Sequence, residues 1–420
     1  MSTSLRSKQV FANSVNMGFL YILLAFFMVP PGYIAIIIPG LSVFGLSLFL
    51  VLILLAMVVT SGRLKRIDNT YPFLFLLLLT AYLVYPKYGD VFSVGSRGRE
   101  TIAILVLSFV VSVLGQQLVL LASRPFRLAS WLRRSVIIAG VLTAIIILLE
   151  DWGIIDDIDG AMAYAGFGSR VHAGIYTAFV MFLALIELKF LKGERWLLAR
   201  LILMIFIAFL AFASVMSLSR NAWGVLLLAF IVFYYHRRSW VGLIRLMIIP
   251  VLLYSVILLY APASQRLETE DFTTGRMVLW LQLLPSTFDE LVIGRGVGYM
   301  WSLTGYDINK YGGYSSEFNE SIYAHNDYLF LVAELGLLGL IIWLFIIYRA
   351  LKLGHELMSA KYAAVPIIQE QGRLLLFLGL MIAFVSAFDT LIFGLRNFMF
   401  VIFFASVSIG LARRLLGSNC

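Results

Sequence analysis

The sequence predicts an all-α polytopic membrane protein of about twelve transmembrane helices, with one large extracytoplasmic loop carrying short helices. Three observations carry that expectation. The chain is 61% hydrophobic and 13% charged, with a mean hydropathy of +0.96, far more apolar than a soluble domain of ordinary usage. Stretches 41–60, 100–121, 196–218 and 327–348 each supply the roughly 20 mostly apolar residues that a helix needs to cross a bilayer. The apolar runs also lack the strict alternation, over segments of about 10 residues, that marks a membrane β-barrel.

The elements follow in chain order. Arg6 and Lys8 precede an apolar run that breaks at Pro30, Pro31 and Gly32 without a small-residue cleavage site, so this run reads as a retained first span. Basic residues then recur between apolar runs: Arg63, Lys65 and Arg66; Arg124, Arg127, Arg133 and Arg134; Lys189, Lys192, Arg195 and Arg200; Arg237, Arg238 and Arg245; Arg349, Lys352 and Lys361; Arg413 and Arg414. Such clusters favour the cytoplasmic ends of spans. Placing all of them inside, with the N-terminus, takes two spans between consecutive clusters. The other side then receives the turn near Pro30, residues 87–99, the acidic stretch 150–171, a tight turn near Arg220, residues 262–324 and the turn 389–396. Residues 262–324 form the long polar connection, and "RMVLWLQLLPSTF" and "YMWSL" within it predict a short helix lying on the membrane surface. No fixed-period repeat or linker divides the chain, so residues 1–420 read as a single membrane domain.

Composition also excludes several classes. The net charge of +9 resides in short connections, where it orients spans, and no nucleic-acid partner is expected. One cysteine, Cys420, leaves neither a disulfide framework nor a cysteine metal cluster. The four histidines, His172, His236, His325 and His355, are scattered, so neither a metal nor any other cofactor is expected. "GRGVG", residues 294–298, has G-x-G-x-G spacing without a βαβ context and is no dinucleotide fingerprint.

Four features converge on the extracytoplasmic side: "GSRVHAG" with Arg170, "SLSRNAWG" with Arg220, "TTGRMVLW" with Arg276 and "YAHNDYL" with His325. Arg220 sits in a turn at the membrane edge. It is either an arginine snorkelling to lipid phosphates or a fork for a substrate phosphate, whose oxygens a guanidinium matches bidentately. Arg276, beside Gly275, and Arg170, after the flexible "GFGS", are either solvated loop charges or further phosphate ligands. His325, followed by Asn326 and Asp327, opens a span; its imidazole is either a structural interfacial group or a base suited to neutral pH. Asp327 and Glu334, seven apart, share a helical face, and Glu334 is expected to pack or pair inside the bundle.

Together "TGRMVLW", "GRGVG" and "HNDYLFLVAELGLLG" resemble the C-terminal half of the O-antigen ligase and O-antigen polymerase superfamily of bacterial envelope enzymes. The resemblance spans residues 160–340 and lies in motif order, spacing and sidedness; the N-terminal half matches in hydropathy alone. It implies a metal-independent, membrane-embedded glycosyltransferase of GT-C-like type in the bacterial inner membrane, with a periplasmic active site. Its donor would be undecaprenyl diphosphate-linked glycan, its acceptor lipid A-core (ligase) or another lipid-linked glycan (polymerase). The same resemblance implies catalytic roles for His325, Arg220 and Arg276: the two arginines hold the donor diphosphate and His325 deprotonates the acceptor hydroxyl. Arg170, Asn326 and Asp327 are then candidates for substrate binding. Concentration of polar sequence in one loop leans toward a ligase. A transporter or flippase, the reading from a different class, would place charges deep in several spans and show an inverted repeat, and neither feature is seen.

Overall fold

A computed structural model describes residues 70–84, 95–122, 124–152, 154, 170–191, 193–234, 255, 280–281, 288, 290–296, 299, 325–362, 364–389 and 395–417. These residues form α-helices α1 (Thr70–Val84), α2 (Gly95–Leu121), α3 (Pro125–Asp151), α4 (Arg170–Phe190), α5 (Leu197–Met216), α6 (Arg220–Tyr234), α7 (Asp327–Leu357), α8 (Pro366–Phe388) and α9 (Leu395–Gly417). No strand occurs among them. Five, α3, α4, α5, α7 and α8, are long and apolar enough to cross a membrane. The expected twelve spans do not all fall among the described residues, and most of residues 262–324 lie outside them. Arg276 lies there too.

By internal contacts the chain divides into two compact units, Val113–Phe233 with Ser406–Cys420, and Asp68–Ser112 with Tyr234–Ala405. In the first unit α4 is the central helix. Residues 173–187 of α4 are all buried, whereas α5 exposes Leu198, Leu201 and Ile205, a face suited to lipid chains. The antiparallel pairing of α3 and α4 is fixed at both ends by charge. At the basic end Ser130 Oγ and Arg134 Nε donate to Glu187 Oε1 at 2.8 and 2.6 Å, and Arg133 Nε donates to Oε2 at 3.1 Å. Arg133 also lies over the Phe190 ring at 5.2 Å. Such a buried carboxylate is tolerated because three donors replace its water. Between the ends, Gly140 lets α3 press on Val180; a Cβ there would fall 2.9 Å from the valine Cβ. Also in this unit, the Arg414 guanidinium donates to carbonyls at the end of α2, those of Val119 (2.8 Å) and Leu120 (3.2 Å), and to that of Ala122 just beyond it, groups a helix end leaves without internal partners.

The second unit is built on the α7–α8 hairpin, with α1 packed on α7. Pro366 opens α8 at a position where the missing N–H costs nothing. At the closed end, Gly354 and Gly372 let the helices touch: a Cβ on Gly354 would lie 2.8 Å from the Gly372 carbonyl oxygen. Trp343, Phe377 and Leu378 fill the centre of this unit.

Candidate functional site

His325 stands just before α7 in a left-handed backbone conformation, φ 47°. The next residue, Asn326, caps the helix: its Oδ1 accepts the Leu329 N–H at 3.0 Å, and its Nδ2 donates to the Ala387 carbonyl at 2.9 Å. One side chain thus starts α7 and fastens it to the end of α8. Asp327 is fully buried. Its Oδ2 accepts from Ser386 Oγ at 2.8 Å, and that oxygen accepts from Trp343 Nε1 at 3.2 Å. Tyr328 donates to the Ala383 carbonyl at 2.8 Å. Asn326 and Asp327, expected to touch substrate, thus both take part in the contact between α7 and α8.

What they position is the imidazole. His325 Nδ1 lies 3.2 Å from Oδ1 of Asp389, the residue that ends α8. The histidine side chain is 42% exposed and the carboxylate 7%. An ionised carboxylate only accepts, so Nδ1 carries the proton and the lone pair falls on Nε2. This is the arrangement of a general base with an orienting acid. The sequence offers Arg396, seven residues on, as a partner for Asp389, or the cavity rim as its place; the structure sets it against His325. The signal available was an acidic residue ending an apolar run, "VSAFD", too common to choose a partner.

Nine residues into α7 the helix breaks. Gly336 has φ 64° and ψ −160°, a region open essentially to glycine alone. The backbone groups released by the break are taken up by residues 291–296. Arg295 N–H donates to the Ala333 carbonyl at 2.7 Å, Gly296 N–H to the Glu334 carbonyl at 3.1 Å, and Leu337 N–H to the Leu291 carbonyl at 2.9 Å. Gly294 and Gly296 also have positive φ, 78° and 92°. A Cβ on Gly294 would strike the Gly336 nitrogen and lie 2.7 Å from the Glu334 carbonyl carbon. The Glu334 side chain is fully buried here. At a rise of about 1.5 Å per residue the break lies roughly 13 Å from the start of α7. Residues 290–296, expected within a loop outside the membrane, therefore reach that far along a candidate span and dock on its interior.

In the first unit, Arg220 is the first residue of α6. Ser219 caps that helix, its Oγ accepting the Ala222 N–H at 3.3 Å, a contribution of about 1 kcal/mol. Leu218 before it adopts φ 55°, which costs a branched side chain about 1–2 kcal/mol. Leu218 and His325 are the two non-glycine residues with positive φ among those described, and each directly precedes a helix-capping residue beside a candidate site residue. The Arg220 turn is held by close packing: a Cβ on Gly174 of α4 would lie 2.7 Å from the Ala222 Cβ and 2.8 Å from the Ser217 Cβ. Trp223 Nε1 donates to the Val215 carbonyl at 3.1 Å, and Ser217 Oγ donates to the Ser214 carbonyl at 2.7 Å. Arg170 opens α4 and lies 3.7 Å from Asp151 at the end of α3.

Among the described residues no group of three or more His, Cys, Asp or Glu side chains is arranged to hold a metal ion.

Residues 205–344 match the model of a family described as O-antigen ligase. No curated protein matches the chain significantly. The matched third of the chain contains Arg220, Arg276, the "GRG" strap, His325 and the broken part of α7. Through this segment, a third of its length, the chain is similar to the O-antigen ligase and polymerase superfamily, and its apolar helices mark it as a membrane protein.

Proposed function

We propose that the chain is a ligase-type glycosyltransferase of the O-antigen ligase and polymerase superfamily. It moves a glycan from undecaprenyl diphosphate to a sugar hydroxyl of lipid A-core, at the periplasmic face of the bacterial inner membrane. The observation that supports the chemistry best is the His325–Asp389 pair, 3.2 Å apart and half-open to solvent on the histidine side. With Nδ1–H directed at Asp389, Nε2 accepts the proton of the acceptor hydroxyl as its oxygen attacks the anomeric carbon. The bond from that carbon to the diphosphate oxygen breaks on the opposite face, so the configuration inverts and no covalent enzyme intermediate forms. Arg220 and Arg276 neutralise the departing diphosphate, and one such electrostatic contact contributes about 3 kcal/mol to the transition state. Asn326 and Asp327 position His325 through α8. The energy for transfer comes from the donor itself, since neither ATP nor nucleotide sugar is available outside the inner membrane.

The alternative is a polymerase of lipid-linked repeat units, with the same donor and a lipid-linked glycan as acceptor. Purified protein incubated with undecaprenyl diphosphate-linked glycan, with and without lipid A-core, separates the two. Product on lipid A-core that disappears in His325→Ala establishes the ligase. Lengthening of the lipid-linked glycan without added acceptor establishes the polymerase, and no product in either arm overturns both.

A further inference from the structure

Arg170 stands beside an acid. Its guanidinium faces the Asp151 carboxylate at 3.7 Å, with the arginine side chain 37% and the aspartate 12% exposed. The two charges cancel locally, and a diphosphate approaching Arg170 meets a carboxylate as well. A phosphate site needs net positive charge and unopposed donors. A neutral sugar needs the reverse: donors and acceptors side by side, without net charge, and an apolar surface for the C–H face of the ring.

The rim of the first unit offers this set. The pair spans the ends of α3 and α4, and at 3.7 Å it is an ion pair rather than a direct hydrogen bond. A hydroxyl set between the two groups makes two good hydrogen bonds, accepting from Arg170 and donating to Asp151. Trp152, next in sequence, is 60% exposed and supplies an aromatic face. Below the pair, Ile147, Ala173, Met216 and Ser217 line a cleft whose walls leave no room for a water-sized sphere. A sugar ring therefore rests on the rim and does not enter the cleft. An interfacial anchor accounts for an exposed Trp152; beside it, the pair that fastens α3 to α4 also presents a donor and an acceptor at the rim.

We propose that Asp151, Trp152 and Arg170 form a glycan subsite that reads sugar hydroxyls, distinct from the arginines that hold diphosphate. The proposal rests on the transferase reading above and specifies where its glycan lies. Its test is a binding measurement on the full chain in lipid nanodiscs with two probes: undecaprenyl diphosphate bare of sugar, and the host's own glycan-bearing undecaprenyl diphosphate extracted from its membranes. Wild type is expected to bind both, and the glycan-bearing probe more tightly. Asp151→Asn and Trp152→Ala are expected to weaken the glycan-bearing probe about tenfold, the loss of one or two neutral contacts, and to leave the bare probe unchanged; Trp152→Phe, which keeps a ring, restores most of the loss. Tighter binding of the bare probe by Asp151→Asn would make Arg170 a masked phosphate ligand and overturn the proposal. So would equal losses with both probes, or none with either. Failure of wild type to bind bare undecaprenyl diphosphate would instead overturn the transferase reading itself.

Discussion

His325 and Asp389 meet through Nδ1 and Oδ1 at 3.2 Å, although 64 residues separate them in the chain. The contact joins the start of one span to the end of the next. It makes the orientation of the imidazole a property of the α7–α8 hairpin. His325→Ala is expected to lower transfer by about 10²–10⁴-fold, the usual share of a general base. The protein should stay folded, as read by detergent size exclusion and thermal unfolding.

Asp389→Asn tests the orienting role separately. The amide presents an N–H or a carbonyl where Nδ1–H requires an acceptor, so part of the population holds the wrong tautomer. The expected result is a fall in kcat of about 10²-fold with KM little changed. A raised KM at constant kcat would instead place Asp389 in binding.

Arg220→Ala is expected to abolish transfer while α6 stays capped by Ser219. Arg276→Lys should weaken transfer about tenfold or more, because an ammonium replaces two parallel hydrogen bonds by one point charge. The transfer assay reads the first, and donor titration in it reads the second. Unchanged donor affinity in Arg276→Lys removes it from the phosphate site.

Gly294→Ala and Gly336→Ala address the strap on α7. Each added methyl meets backbone, which cannot swing aside as a side chain can, and each residue has positive φ. A loss of about 2–4 kcal/mol is expected at either position, seen as a lower unfolding temperature together with reduced transfer. A Gly294→Ala protein of normal stability would mean that the strap is not held as described.

Arg133→Met tests the buried network at the basic end of α3 and α4. Removing one of the two guanidiniums leaves Glu187 with less compensation in an apolar setting, and a loss of about 3–5 kcal/mol follows for breaking such a pair. Arg133→Met with Glu187→Leu should recover most of it, since the apolar pair leaves no charge buried. Thermal unfolding of the two variants decides this.

Much of the fold was legible because a bilayer imposes a simple rule on sequence. The apolar stretches 100–121, 196–218 and 327–348 fall within or upon α2, α5 and α7, and the tight turn was placed at "SLSR", where Ser219 caps α6. The break at Gly336 was not legible. Its cause is a backbone conformation, and Gly336 sits in "AELGLLGL" beside Gly339, which stays helical. Only the partner strands of backbone at residues 291–296 tell the two glycines apart.

The site was legible in its residue types and not in its pairings. An imidazole at a span edge suggests a base from local sequence alone, and His325 is such a residue. Asp389 needed the register of α7 on α8, which depends on the Asn326–Ala387, Tyr328–Ala383 and Asp327–Ser386 contacts acting together. Nothing in "GFGSR" likewise indicates Asp151, nineteen residues earlier, as the neighbour of Arg170.

The break in α7 also bears on how the protein is made. Hydrocarbon offers no partner for the carbonyls of Ala333 and Glu334, so α7 cannot enter the bilayer in its final shape alone. The strap whose N–H groups donate to these carbonyls is encoded upstream and leaves the ribosome first. A strap already translated when its span arrives lets the kink form at insertion, whereas a chain permuted to deliver residues 290–296 after α7 would have to insert a straight helix and bend it later.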